Sequence, residues 1–266
     1  MFLQRLTIHR TLLPLCAAVI AFRFRHYLLK LYWTLIPWKG WNSHPDPQGG
    51  EKLLCCYVLN NSVHGQPESV LQTFEQWVKE PEHGKEWTRV TRNLLEPQKG
   101  LFLGEVVARV APLVVLELGT YCGYSAIRML QLLPPGGKLY TVEQCREVAD
   151  MAEEMILVAG FKNMQFQLLS LSSEEAITTM KSSCRVDTFD LVLMDHSPGQ
   201  YLNDLRAMKE HGLLSAGATI MANHTDSPDA AEFLQEVQND QHYRVQSSCQ
   251  NLLEIVCIRE PNISHS

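Results

Sequence analysis

The sequence predicts an α/β fold: a doubly wound, mostly parallel sheet closed by a terminal antiparallel hairpin. Three observations carry this. Apolar runs alternate with amphipathic helical segments from residue 113 onward. The first run, Leu113-Val114-Val115-Leu116, ends in an acid and a spaced glycine pair, Glu117-Leu-Gly119-Thr-Tyr121-Cys-Gly123. An α/β sheet opens a ligand crevice in this way at the carboxyl end of its first strand. Finally, two β-prone stretches at 242–247 and 252–258 are spaced as a closing hairpin.

The N-terminus comes first in the chain. Residues 11–22 form an uncharged run with Arg5 and Arg10 before it and Arg23, Arg25 and Lys30 after it. As a helix it rises about 18 Å, against a hydrocarbon core of roughly 30 Å, and snorkelling of Arg10 and Arg23 would lengthen its reach. A signal-anchor helix, a cleaved signal peptide and an interfacial helix all compete for it. The weak cleavage site and the aromatic, basic stretch at 26–38 favour retention as a single-pass membrane anchor. The extra basic residues after the run favour a cytosolic domain. Pro45-Asp-Pro-Gln-Gly-Gly50 reads as a linker, which divides the chain into an anchor and juxtamembrane segment (1–44) and a folded domain (45–266).

Within the domain, 52–60 and 68–78 read as helices, with Val70, Phe74 and Trp77 on one face of the second. Residues 79–100 are polar, carry Pro81 and Pro97, and read as loops plus a short helix. Strands follow at 113–118, 138–142, 164–169, 189–194 and 217–222. Helices lie between them, for example at 144–159 and 201–211.

The chain has 266 residues, of which 45% are hydrophobic and 20% charged, with a net charge of -6. Nothing in that balance suggests a nucleic-acid surface. The eight cysteines contain no C-x-x-C pair, so zinc and redox motifs are disfavoured and reduced, mostly buried thiols are expected.

The glycine spacing is E-x-G-x-x-x-G, and no Gly-Lys-Ser/Thr follows. A pyrophosphate cradle is therefore disfavoured against a nucleoside ligand without phosphates, such as S-adenosylmethionine. The strand ends carry suitable groups: Glu117, Gly119, Tyr121, Gly123 and Ser125 after the first, and Glu143 after the second. Ser172 and Ser173 follow the third, Asp195-His196 the fourth, and Asn223-His224 the fifth. An acid at Glu143 can accept both hydroxyls of a ribose.

Several stretches resemble catechol O-methyltransferases. They are residues 116–128, Leu133-Pro-Pro-Gly136, Thr141-Val-Glu143, Leu191-Val-Leu-Met-Asp195-His196 and Gly212-Leu-Leu-Ser-Ala-Gly-Ala-Thr219. The likeness runs over roughly residues 50–260. Leu118-Gly-Thr-Tyr121, Ala159-Gly-Phe161, Ser172-Ser-Glu-Glu175 and Phe22-Arg-Phe-Arg-His-Tyr27 are closer to the transmembrane O-methyltransferase branch. The resemblance implies a Rossmann-like class I methyltransferase fold, S-adenosyl-L-methionine, Mg²⁺, a catechol acceptor and an anchor in the endoplasmic reticulum. It implies that Glu117, Gly119, Tyr121, Gly123 and Ser125 hold the methionine part of the cofactor, that Glu143 holds the ribose and that Ser172 lies near the adenine. Asp195 would border the cofactor and bind the metal, together with Asn223 and His224, and Pro228 would wall the catechol pocket. Chelation of both catechol oxygens by a hard divalent ion lowers the hydroxyl pKa and fixes the line of attack.

Four departures from that family lie on the acceptor side. A second carboxylate is replaced, so the third ligand becomes His224. The family's catalytic lysine position holds Pro198, which cannot act as a base, and the aromatic wall beside it is Ser197. The last hairpin is shortened between Gln246 and Leu253. His196 or His224 becomes the expected base, since imidazole is the side chain type suited to proton transfer at physiological pH. The competing expectation is a cofactor-binding membrane protein that assists the trafficking of a channel subunit. The transmembrane branch's link to sensory hair cells and channel maturation points that way.

Overall fold

The computed structural model describes residues 49–79 and 84–258, with the side chains of 84–87 and 89 excepted. The apolar run at 11–22, the 26–38 stretch and the expected boundary at 44/45 lie outside the described residues. Among the described residues no helix is long and apolar enough to cross a membrane.

Four helices precede the sheet: α1 (Gly49–Asn61), α2 (Pro67–Lys79), α3 (Gly84–Asn93) and α4 (Pro97–Val110). The polar stretch at 79–100 therefore holds α3 and the start of α4 rather than loops and one short helix. Pro97 misleads a sequence reading. It occupies the first helical turn, where its missing N–H has no intrahelical role and its fixed φ suits the helix.

The sheet strands are β1 (Val114–Leu118), β2 (Lys138–Val142), β3 (Phe166–Leu169), β4 (Phe189–Met194), β5 (Leu214–Ala222), β6 (Tyr243–Cys249) and β7 (Leu252–Cys257). Between them run α5 (Tyr124–Leu132), α6 (Arg146–Val158), α7 (Ser173–Thr179), α8 (Tyr201–Glu210) and α9 (Ala231–Asn239). Strand order is β3-β2-β1-β4-β5-β7-β6. β1 pairs parallel with β2 on one side and with β4 on the other, so the winding reverses between β1 and β4. β7 pairs antiparallel with β5 and with β6. The expected doubly wound sheet and closing hairpin are both present.

Two strand starts differ from expectation by two residues or more. β3 begins at Phe166 rather than 164, because the Gln165 N–H closes a turn on the Lys162 carbonyl at 2.7 Å. β5 begins at Leu214, three residues early, and a register irregularity near Leu191 absorbs the small residues at 215–218.

Strand alternation explains why the sheet is buried on both faces. Val115, Leu139, Leu191 and Leu193 pack with Leu54, Phe74, Leu103, Ile127 and Ile156 of α1, α2, α4, α5 and α6. Leu116, Leu118, Val192, Met194 and Ile220 face the other way, onto Ile177, Tyr201, Leu205, Met208 and Phe233 of α7, α8 and α9. None of the cysteines among the described residues forms a disulfide; Cys55, Cys122 and Cys257 are buried.

Candidate functional site

The carboxyl ends of β1, β2 and β4 open onto a cleft of about 760 Å³. Gly119, Tyr121, Glu143, Ser172, Asp195, His196 and His224 line it, as do Ser197 and Pro198. Together with Ser173, these make ten of the residues singled out from the sequence that meet in one place. Glu117 and Ser125 are buried and do not line the cleft, and Gly123 caps the N-terminus of α5.

One wall is built from β1 and the loop after it. Gly119 adopts φ +95°, and its N–H donates to the Val142 carbonyl at 2.9 Å. A Cβ there would meet the backbone of Asp195, so only glycine lets the two loops close on each other. Tyr121 also has positive φ, at 47°. Its N–H donates to Glu143 Oε2 at 3.0 Å, and the Cys145 N–H donates to Oε1, also at 3.0 Å. The Glu143 carboxylate is thereby aimed across the end of β2. The Tyr121 hydroxyl donates to Glu51 Oε1 of α1 at 2.7 Å.

Beneath this wall, Glu117 accepts a 2.5 Å hydrogen bond from Thr141 Oγ1 at Oε2. Oε1 has no donor in hydrogen-bond geometry. Burial pushes the carboxyl up to about 7; the Ser125 and Thr141 hydroxyls oppose the rise, and the Asp195 and Glu143 charges add to it. A buried acceptor with a spare lone pair suits a cationic group such as an ammonium.

Ser172 is the N-cap of α7. Its hydroxyl accepts from the Glu175 N–H at 3.3 Å and donates to Glu175 Oε2 at 2.8 Å, and its own N–H also reaches that carboxylate. This capping box accounts for the residue structurally, while Ser172 still faces the cleft. The two bonds hold the Glu175 carboxyl below its ordinary range.

The opposite wall is built from β4 and β5. Asp195 follows β4 and its side chain is 6% exposed. Asn223 follows β5, is 1% exposed, and donates its amide to Asp195 Oδ1 at 2.7 Å. The other amide atom, Asn223 Oδ1, is buried without a partner. His224 has φ +52°, a backbone state that is costly for a residue with a side chain, and its Nε2 stands 3.5 Å from Asp195 Oδ1. Burial raises the Asp195 pKa, against the pull of Asn223 and the charges of His224, Lys99 and His196.

His196 is held differently. Its Nε2 lies 2.7 Å from Oδ2 of the buried Asp204 on α8, its ring leans on Tyr201 at 5.0 Å, and Nδ1 is buried without a partner. Pro198 opens a short 3-10 turn, Pro198–Gln200, on the rim. Pro228 opens another, is exposed, and does not line the cleft. The expected role for it as a pocket wall is not met in this geometry: the serine-capped turn carries it outward.

The donor set tests the expected divalent ion. A carboxylate and an unpartnered amide oxygen are hard ligands of the kind Mg²⁺ takes, but the third position holds an imidazole nitrogen. The residues fit a divalent cation, and fit Mg²⁺ less well than an all-oxygen set would.

Sequence reading missed four contributors. Arg92 and Asn93, at the end of α3, line the cleft, and so does Asp226. Asp204 supports His196 from within a helix. No motif marked the first two. The eight-residue spacing from His196 to Asp204 carries no signal until α8 is known to fold back under the loop.

Comparisons with known proteins agree with this architecture. The O-methyltransferase family profile matches residues 72–245. A transmembrane O-methyltransferase from Propithecus coquereli is 38% identical over 87% of this chain and 81% of its own. A catechol O-methyltransferase from Bos taurus is 34% identical over 73% and 68%. The structure of an SAH-bound methyltransferase from Podospora anserina superposes with a TM-score of 0.61 at 17% identity, covering 82% of this chain and 99% of that one. The fold and the cleft define an α/β transferase architecture of the Rossmann-like kind. The chain belongs to the O-methyltransferase family.

Proposed function

We propose that this chain binds S-adenosylmethionine and transfers its methyl group to a hydroxyl of a catechol-type small molecule, at a membrane to which the N-terminal segment anchors it, that of the endoplasmic reticulum. The observation that carries the reading is the pairing of Glu143 with the Tyr121 and Cys145 N–H groups beside the Gly119 turn. This leaves a fixed carboxylate at the end of β2 for the two ribose hydroxyls. Glu117, with an unused buried lone pair, takes the ammonium end of the cofactor. Tyr121, Gly123 and Ser125 shape the methionine subsite, and Ser172 borders the adenine.

The acceptor enters opposite, beside Asp195, Asn223 and His224. A divalent ion held by these three would supply charge that lowers the pKa of the acceptor hydroxyl. The chain's own residues orient the acceptor oxygen, close the site against water and receive the proton. His196 or His224 is the receiver, since Pro198 cannot be. The Asp204 carboxylate fixes one ring nitrogen of His196 and leaves the other unpartnered, which makes His196 a competent base.

Calorimetry with S-adenosylmethionine, followed by a methylation assay with dopamine and Mg²⁺ or Mn²⁺, tests the reading. Saturable cofactor binding and a methylated product are expected. Folded protein that binds no cofactor, or turns over no catechol with any metal, overturns it.

A second reading is favoured by Pro198, which stiffens the rim where the family carries its lysine. In it the protein binds cofactor, turns over slowly, and serves a membrane channel subunit as a trafficking partner. Co-purification with such a subunit that survives Asp195→Ala supports this reading, and failure to recover any membrane partner removes it.

A further inference from the structure

The three residues at the ends of β4 and β5 carry an inference about which ion they select. It rests on the reading of this wall as the acceptor side of the site.

Asp195 accepts the Asn223 Nδ2 hydrogen at 2.7 Å. An ionised carboxylate can only accept, so it fixes which way the Asn223 amide points. Oδ1 is consequently the free atom, and it is buried and unpartnered on a side chain that is 1% exposed. Buried amide oxygens are nearly always satisfied, and an unsatisfied one beside a carboxylate needs a positive partner.

His224 supplies the third observation. Its Nε2 stands 3.5 Å from Asp195 Oδ1. That is too long for a good hydrogen bond, whose heavy atoms lie about 2.7–3.2 Å apart. It matches two ligands of one ion instead. Donors each about 2.1 Å from a metal stand about 3.0 Å apart at right angles and about 3.4 Å apart at the tetrahedral angle. The backbone at His224 is also held at φ +52°, in the left-handed region, and such strain is retained where a side chain must be aimed.

Mg²⁺ demands oxygen ligands in near-octahedral geometry, whereas an imidazole nitrogen at tetrahedral spacing suits first-row transition ions. We infer that Asp195, Asn223 and His224 form a mixed oxygen and nitrogen site that takes a first-row transition ion, Co²⁺, Zn²⁺ or Mn²⁺, in preference to Mg²⁺. With His224 bound to the ion, His196 is left as the proton receiver, supported by Asp204.

The test is Co²⁺ titration of the metal-free full chain, followed by its visible absorption, with Mg²⁺ as competitor. One equivalent of Co²⁺ is expected to bind with the spectrum of a low-coordinate, imidazole-ligated ion, and to resist a tenfold or greater excess of Mg²⁺. His224→Asp is expected to lose that spectrum and gain Mg²⁺ affinity by about tenfold or more, the scale on which ligand-sphere changes act. Paramagnetically shifted imidazole resonances in the unmodified protein report ligation by His224 without any variant. Mg²⁺ that displaces Co²⁺ at equal concentration overturns the inference. So does a spectrum unchanged in His224→Asp, an absence of shifted imidazole signals, or no Co²⁺ binding. Cofactor calorimetry is run alongside. Loss of cofactor binding with an intact Co²⁺ site counts against the methyl-transfer reading and leaves the metal inference standing.

Discussion

The α-carbon of Gly119 packs against the peptide of Asp195 so closely that a side-chain carbon there would stand 2.5 Å from the Asp195 carbonyl oxygen. The turn that shapes the cofactor wall and the loop that begins the acceptor wall are thus in backbone contact. Gly119→Ala is expected to fail on two counts, the clash and the positive φ, with no flexible group able to give way. Gly136 offers a control, because it has similar φ, +86°, but open space around the added carbon. Gly136→Ala should cost only the conformational strain, on the order of 1–2 kcal/mol. Urea unfolding of both variants, with cofactor calorimetry, checks this. Equal costs would mean that the contact with Asp195 is unimportant.

Glu117 makes stability depend on pH. Its carboxyl is raised in the folded protein to about 7 from an ordinary 4.5. Below about pH 4.5 it is protonated in both states and carries no penalty. As pH rises toward 7 the unfolded chain loses its proton first, so stability falls through that window and then levels off. The shift corresponds to about 3 kcal/mol. Glu117→Gln should abolish most of this fall, leaving the variant relatively more stable at pH 8 than at pH 5. Denaturant midpoints at the two pH values are the measurement.

Much of this site was legible from sequence because it sits at strand ends. The apolar run before Glu117 and the runs ending at Asp195 and Asn223 mark strands by period and β-branching, and parallel strands present their carboxyl ends together. Glu143 was legible for the same reason. The helix starting at Pro97 was not, because proline within a polar stretch reads as a breaker until its place in the first turn is known. The facing of Pro228 was not legible either, because a match in sequence register does not say which way the Ser227-capped turn points. Asp204 was hidden because its partnership with His196 depends on where α8 docks.

Glu254 lies on β7, 1% exposed, and accepts from Arg109 Nη2 at 2.6 Å and from the Ser247 hydroxyl. Arg109→Met strands a buried carboxylate. Because half of the arginine is exposed, the expected cost is about 1–3 kcal/mol, below that of a fully buried pair. The double variant Arg109→Met/Glu254→Gln should recover most of it. A thermal or urea unfolding series decides the matter, and an additive double variant would show that the two residues are not coupled.

Asn223-His-Thr225 is an N-x-S/T glycosylation sequon, and it reports on topology. Its amide nitrogen is bonded to Asp195 and its side chain is buried, so a glycan there is incompatible with this fold. Asn60, in the other sequon among the described residues, is exposed at the end of α1. With the domain in the cytosol, as the basic residues after the apolar run suggest, neither is modified and glycosidase treatment gives no gel shift. A shift abolished by Asn60→Gln would place the domain in the lumen.

Glu51 lies in the first turn of α1, and its carboxylate holds the hydroxyl of Tyr121, whose N–H in turn holds Glu143. The first turn of α1 is therefore two hydrogen bonds from the carboxylate at the end of β2. Glu51→Gln should change how long a ligand dwells in the cleft, although Glu51 is not among the residues that line it.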